Sequence, residues 1–144
     1  MQFPQHTTFR ATPWNDPVVD LVGFDAMSAY VELCWLPILG PSATWMLRRL
    51  AAGFKANPDG YEVDLVQLAS ALGLGANAKP GRHSPAVRSL QRLVMFGMAR
   101  PVDDSTLEVR RRIPPLALRQ VHRLSAPLQQ AHERILAAHH PVAS

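Results

Sequence analysis

Residues 84–113, SPAVRSLQRLVMFGMARPVDDSTLEVRRRI, decide the fold of this chain. The stretch begins with Ser84, whose hydroxyl can accept a backbone N–H of the first helical turn. Pro85 suits the next position, because its missing N–H would have no partner there. Apolar residues then recur at three- and four-residue spacing, namely Val87, Leu90, Leu93 and Val94. Because Arg88 and Arg92 share the opposite face, the pattern predicts an amphipathic helix with a core side and a basic side.

The second half of the stretch is patterned as a β-hairpin. Gly97 ends the helix, residues 98–101 can form a short strand, and turn-forming residues follow, namely Asp103, Asp104 and Ser105. In the return strand two sets of side chains alternate: Leu107, Val109 and Ile113 point one way, and Glu108, Arg110 and Arg112 the other. The sequence therefore predicts a basic hairpin over 98–113, with Arg111 turned away from its two arginine neighbours.

The rest of the chain is divided around this stretch. An extended N-terminal arm is predicted over 1–27, where prolines are frequent and apolar periodicity is weak. Ser28 is a candidate N-cap for the helix that opens the main domain, 28–113. Within that domain the sequence predicts a helix over 42–56, a strand over 61–63, a helix over 64–73 and the basic helix over 84–97. Two prolines then stop the hairpin strand, and a C-terminal helical extension is predicted over 114–140.

This order of elements resembles the winged helix-turn-helix fold of bacterial transcription regulators, over about half of the chain. The segments YVELCWLPILGPSATWMLRRL and RRRIPPL also resemble a family of small actinobacterial proteins, which supplies no established activity. The resemblance to the regulators implies that 84–97 is the recognition helix and that Asp103 to Ser105 form the tip of the wing. It also implies that the C-terminal helices lie where such regulators place dimerisation or effector elements. The expected fold class is mainly α with a small β-hairpin: a winged helix-turn-helix with an N-terminal arm and extra C-terminal helices.

Charge is unevenly distributed along the chain, whose formal net charge is +4. Up to Gly40 there is one cation, Arg10, against four carboxylates, which gives −3. From Pro41 onward there are 14 Lys and Arg against 7 Asp and Glu, which gives +7. Most of these cations are arginine, which suits bidentate contacts to phosphate and guanine. A GC-rich genome is an alternative explanation for the choice of arginine, but it does not explain the clustering, which indicates a nucleic-acid partner.

For duplex DNA, the sequence predicts one contact surface that combines the helix and the wing. The basic helix would lie in the major groove, with Arg88 and Arg92 reaching base edges or phosphates. Arg110 and Arg112 on the wing would reach backbone phosphates or the neighbouring minor groove. The predicted DNA-contacting residues are Lys79, Arg82, His83, Ser84, Arg88, Ser89, Arg92, Arg110 and Arg112.

Other chemistries lack their sequence signatures. Cys34 is the only cysteine, so an internal disulfide or a cysteine-based zinc site is impossible, and its apolar neighbours favour a buried thiol. Six histidines are present without an HExxH pair, and no nucleophile elbow, Walker motif or dinucleotide-binding glycine pattern occurs. No apolar run reaches the roughly 18 residues of a membrane span. The expectation is a cytoplasmic homodimer that binds double-stranded DNA, is not an enzyme, does not contact a membrane and needs no cofactor or metal.

Two other interpretations fit the same pattern. The arginines of the helix can be ordinary solvated surface charges. Alternatively, the domain is a winged-helix protein-interaction module or adaptor that does not bind DNA. Its anchors would then be aromatic residues, namely Trp14, Phe24, Trp35 and Trp45. Core packing is the competing explanation for Trp35 and Trp45.

Overall fold

The computed structural model describes residues 3–4, 6–75 and 84–139, and in these ranges the chain is a mixed α/β protein. The strands are β1 (Thr8–Pro13), β2 (Phe24–Asp25), β3 (Tyr61–Asp64), β4 (Ala99–Pro101), β5 (Thr106–Val109) and β6 (Arg112–Ile113). The helices are α1 (Pro17–Val22), α2 (Leu36–Leu39), α3 (Pro41–Ala52), α4 (Leu65–Ala71), α5 (Pro85–Met95), α6 (Leu118–Val121) and α7 (Ala126–Ala138). A π-helical stretch, Val31–Trp35, leads into α2, and a 3₁₀ turn, Gly53–Lys55, follows α3.

The segment predicted as an N-terminal arm contributes one of the two inner strands of a four-stranded sheet. The strand order is β3-β1-β5-β4, with β1 antiparallel to β3 and parallel to β5. Phe9 and Ala11 point from β1 into the core and are almost fully buried. The expectation of a single small hairpin is therefore corrected, because β1 joins that hairpin to β3 and makes a larger sheet.

The elements predicted between residues 42 and 113 are largely confirmed, and their local signals are visible. Ser84 caps α5 by accepting a hydrogen bond from the Val87 backbone N–H at 3.2 Å. Asp64 caps α4 by accepting a hydrogen bond from the Val66 backbone N–H at 2.9 Å. Strands β4 and β5 form the predicted antiparallel hairpin, and in its turn Asp103 accepts from the Ser105 N–H at 2.8 Å.

Two predicted details of the main domain, 28–113, are wrong. Ser28 does not cap the helix that follows it, because its buried hydroxyl has no hydrogen-bond partner in the described part of the chain. The return strand of the hairpin does not continue to Ile113, because β5 ends at Val109 and β6 pairs instead with β2. The predicted alternation of side chains therefore does not extend through residues 110–113.

The C-terminal helices pack back onto the first part of the chain. Trp35 donates its indole N–H to the Pro114 carbonyl oxygen at 2.8 Å, and the Tyr30 hydroxyl accepts from the Leu116 N–H at 2.8 Å. Phe24 stacks between the rings of Tyr30 and His139, with centroid distances of 3.8 and 3.9 Å. The two ends of the described chain therefore share one core. None of the helices in the described ranges combines the length and the apolar character needed to cross a membrane.

We predict that Phe9→Ala lowers the free energy of unfolding by about 3–5 kcal/mol, because it leaves a cavity beside β1. Val18→Ala, a matched control in the same segment, should change it by less than about 0.5 kcal/mol, because Val18 is 69% exposed. Urea denaturation followed by tryptophan fluorescence measures both. Equal, small effects of the two substitutions would mean that β1 is not part of the core.

Candidate nucleic-acid interface

The side chains of α5 are divided between the core and solvent. Those on the inner face are buried, namely Ala86, Val87, Leu90 and Leu93, together with Ser89. The outer face carries Arg88, Gln91, Arg92 and Met95, and Met95 is 75% exposed. The guanidinium of Arg88 forms no ion pair or hydrogen bond with any residue that the structure describes. Arg88 is thus available to a ligand, as the sequence predicts.

Arg92 lies on the same face, but its guanidinium is already engaged. Its Nε donates to the Leu39 carbonyl oxygen at 2.6 Å, and a terminal nitrogen donates to the Ile38 carbonyl oxygen at 2.8 Å. These carbonyls end α2, where a cation is favoured by the helix dipole. The guanidinium also lies 5.1 Å from the ring centroid of Phe96. The predicted contact of Arg92 with base edges or phosphates stays a prediction, and the structure adds that its guanidinium attaches α5 to the end of α2.

A cleft of about 420 Å³ separates the outer face of α5 from the start of α3. Its walls are formed by residues 39–43 on one side and by the outer face of α5 with Ser89 on the other. Gly40 (φ 83°) precedes α3, and no side chain caps this helix. The backbone N–H groups of Ser42 and Ala43 donate to no described carbonyl, which is normal for the first turn of a helix. The cleft thus combines free N–H donors with two arginines.

Arg110 does not face solvent, contrary to the prediction for the wing. It is only 9% exposed, and its guanidinium lies 3.7 Å from the ring centroid of Trp14. Its Nε donates to the Gly97 carbonyl oxygen at 2.7 Å, and a terminal nitrogen pairs with the Asp16 carboxylate at 3.1 Å. The outer side of the hairpin, which alternation assigned to solvent, is covered here by the chain that leaves β1.

Arg112 and Arg111 exchange the roles that strand alternation predicts. Arg112 is half-buried and donates to the Gly23 carbonyl oxygen at 2.6 Å, so it stabilises the pairing of β6 with β2. Arg111 is exposed and donates to the Asn15 side-chain oxygen at 2.9 Å. The reason is the end of β5 at Val109, after which the period of two is lost.

The remaining predicted contacts fall into three groups. Ser84 uses its hydroxyl to cap α5. Ser89 is 7% exposed and therefore lies at the base of the cleft and not on the outer face. The predicted contacts Lys79, Arg82 and His83 lie outside the described residues.

The structure also exposes Trp45, which the sequence interpretation did not select as a DNA contact and named only as an anchor of the protein-interaction alternative. Trp45 is 56% exposed and lines a second, smaller cleft of about 310 Å³ with Arg49. The two clefts share Pro41 and Ser42. The signal was present, since Trp45 falls outside the stripe of apolar residues that α3 buries, namely Ala43, Met46, Leu47 and Leu50. Of the other proposed aromatic anchors, Phe24 and Trp35 are buried in the core.

Arg100 of the hairpin is exposed and was also not selected. Its side chain is 51% exposed, pairs with Glu108 at 3.1 Å and lies 4.3 Å from the ring centroid of Trp14. Trp14 is therefore flanked by the guanidiniums of Arg100 and Arg110. Exposed ion pairs such as Arg100–Glu108 contribute little to stability, so Arg100 can exchange Glu108 for a phosphate.

The described ranges contain several buried titratable side chains, among them Cys34 and His132. No group of three or more His, Cys, Asp or Glu side chains that could hold a metal is found there. Cys34 is fully buried, as the sequence predicts, and burial raises the pKa of its thiol. Burial lowers the pKa of the His132 imidazole in α7, because its charged form is the protonated one.

Comparisons with known proteins add nothing to the interpretation, which therefore depends on the geometry described above. No family model matches the sequence, and no significant match is found among curated proteins or solved structures.

We predict that Arg110→Ala lowers the free energy of unfolding by about 2 kcal/mol, because it leaves the Gly97 carbonyl and the Asp16 carboxylate without their charged donor. Arg111→Ala is the matched control and should change it by less than about 0.5 kcal/mol. Chemical denaturation of both variants measures the difference. An Arg110→Ala variant as stable as Arg111→Ala would show that the buried guanidinium has no structural role.

We predict a pH dependence of stability that arises from Asp16. The hydrogen bond from the Val19 N–H, followed by that from Arg110, lowers the pKa of Asp16 below its ordinary 3.8. Because the folded-state pKa is lower than the unfolded one, this contribution is complete above pH 3.8 and is lost as the pH falls through the folded-state value.

Asp16→Asn keeps an N-cap side chain but removes the charge, and so isolates this contribution. The stability difference between wild type and Asp16→Asn should be constant from about pH 7 to about pH 5 and shrink toward about pH 3. Denaturation at each pH measures it. A difference that stays constant throughout that range would contradict the assignment.

Proposed function

We propose that this protein is a transcription regulator that binds duplex DNA through the outer face of α5, with a winged helix-turn-helix as its binding unit. The order α3, β3, α4, α5 and the β4–β5 hairpin supports this topology. The observation that carries the proposal is the pairing of an unengaged Arg88 with Gln91 on an exposed helical face, beside the free N–H groups at the start of α3.

The proposed contacts differ from those that the sequence alone suggests. Arg88 has the geometry to bind guanine O6 and N7 or a phosphate, and Gln91, one turn further along α5, can bind adenine. Arg100 on the hairpin would position a backbone phosphate. Arg92, Arg110 and Arg112 are omitted from base readout, because each donates to a backbone carbonyl within the protein.

We predict that the protein shifts duplex DNA in a mobility assay with strong salt dependence, and that Arg88→Ala weakens this binding. If Arg88 contacts a phosphate, the slope of log affinity against log salt should fall by about one, because one fewer counterion is released. If it contacts guanine, preference for the bound sequence should fall by about 1–3 kcal/mol instead. Titrations at several salt concentrations on a selected duplex and on a random duplex distinguish the two.

Arg134→Ala is the matched control, because Arg134 is an exposed arginine on a different helix, α7. It should leave both the affinity and the salt slope close to those of the wild type. Equal losses for Arg88→Ala and Arg134→Ala would indicate a nonspecific effect of net charge. Absence of binding by the wild type at low salt would contradict the proposal.

A second candidate function is protein binding through the same region. Trp45 and Met95 are large apolar side chains that are 56% and 75% exposed, and tryptophan is enriched at the centres of protein interfaces. A module of this kind would bind DNA weakly or not at all, so the mobility assay also separates the two functions. The homodimer stays a prediction.

A further inference from the structure

We propose that the cleft between α3 and α5 is a specific binding site for a phosphate group. Three features of the cleft, taken together, point to an anion of this kind: unpartnered backbone donors, a hydroxyl that faces the cleft without a described partner, and positive charge without a carboxylate.

The backbone donors lie at the start of α3, a helix of 12 residues. Gly40 donates its N–H to the Leu36 carbonyl, and Pro41 has no N–H. The next two N–H groups along the chain belong to Ser42 and Ala43, and neither has an acceptor among the described residues. N–H groups in this position and the helix dipole both favour a negatively charged ligand.

The second feature is independent of that helix. Ser89 belongs to α5, is 7% exposed and lines the cleft. Its hydroxyl makes no hydrogen bond to any residue that the structure describes, and it is not among the enclosed side-chain atoms that lack a partner, so it is open to the cleft. A phosphate oxygen in the cleft would accept this hydrogen bond.

The cleft is positively charged, which suits an anionic ligand. Arg88 is unengaged, and Arg92 is fixed beside it by its bonds to Ile38 and Leu39, with one terminal nitrogen left over. No Asp or Glu is among the described residues of the cleft walls. Its volume of about 420 Å³ exceeds that of a bare phosphate, so a phosphate ester fits.

The phosphate can come from two sources. One is the DNA backbone, in which case the inference rests on the proposed function and adds a positioning contact to it. The other is a free phosphorylated small molecule, in which case the cleft is an effector site. Both sources offer the same chemistry to the same donors.

The first test is a titration of the ¹⁵N-labelled full-length protein with inorganic phosphate and with pyrophosphate, followed by amide NMR. The amides of Ser42 and Ala43 should shift in a saturable manner, whereas sodium chloride at matched ionic strength should leave them unchanged. Ser89→Ala should weaken phosphate binding about tenfold, the effect expected for one charge-assisted hydrogen bond. Ser70→Ala, at an exposed serine of α4, is the matched control and should bind normally.

The Ser42→Asp variant distinguishes a specific loss of phosphate binding from a loss caused by misfolding. A carboxylate in the first turn of α3 stabilises the helix and repels an anion, so the melting temperature should not fall while phosphate binding is lost. Ser42→Asn keeps the polarity without the charge and should retain most of the binding. Unchanged binding by Ser42→Asp, or shifts with phosphate no larger than those with chloride, would overturn the inference.

A parallel titration with a short DNA duplex separates this inference from the proposed function. If phosphate binds but the duplex does not, the cleft is a site for a free phosphorylated molecule, and the DNA proposal alone fails. If the duplex binds wild type and Ser42→Asp equally well, the DNA proposal stands and the DNA backbone is excluded as the source of the phosphate. Loss of both duplex and phosphate binding in Ser42→Asp identifies the DNA backbone as a source.

Discussion

The hydrogen bonding of β1 on both of its edges is the constraint on which the rest of the structure depends. One edge holds β3, and with it the start of α4; the other holds β5, and with it the hairpin. Since α5 lies between α4 and the hairpin in the chain, both of its ends are connected to elements that β1 fixes. The N-terminal residues therefore belong to the framework that positions the candidate interface.

Within this framework the arginines have two different roles. Arg48, Arg92, Arg110 and Arg112 each donate to at least one backbone carbonyl and so connect segments that are far apart in the sequence. Buried carbonyls need donors, and arginine supplies several from one side chain. Arg88 and Arg49 have no such partner in the described ranges and lie on the clefts beside α3. A count of basic residues therefore overstates the positive surface available to a ligand.

Sequence reasoning succeeded where the signal was local. The Ser84 cap and the Asp103 turn each depend on residues two or three positions away. It failed where long-range packing decides the outcome: β1 has only two buried positions, Phe9 and Ala11, and its partners are about 50 and 100 residues distant. Arg110 pairs with Asp16 across 94 residues, which no period-two pattern can reveal. The cleft likewise needs α3 and α5 in contact.

The side-chain Nε–H resonances of arginine, recorded with and without a DNA duplex, test the central claim most directly: the arginines of α5 and of the hairpin divide into structural ones and ones that bind DNA. We expect the Arg88 resonance to shift on addition of the duplex. The resonances of Arg92 and Arg110, whose Nε–H groups already donate to Leu39 and Gly97, should be protected from exchange with water and should not shift. Large shifts of Arg92 and Arg110 with an unchanged Arg88 would contradict the account.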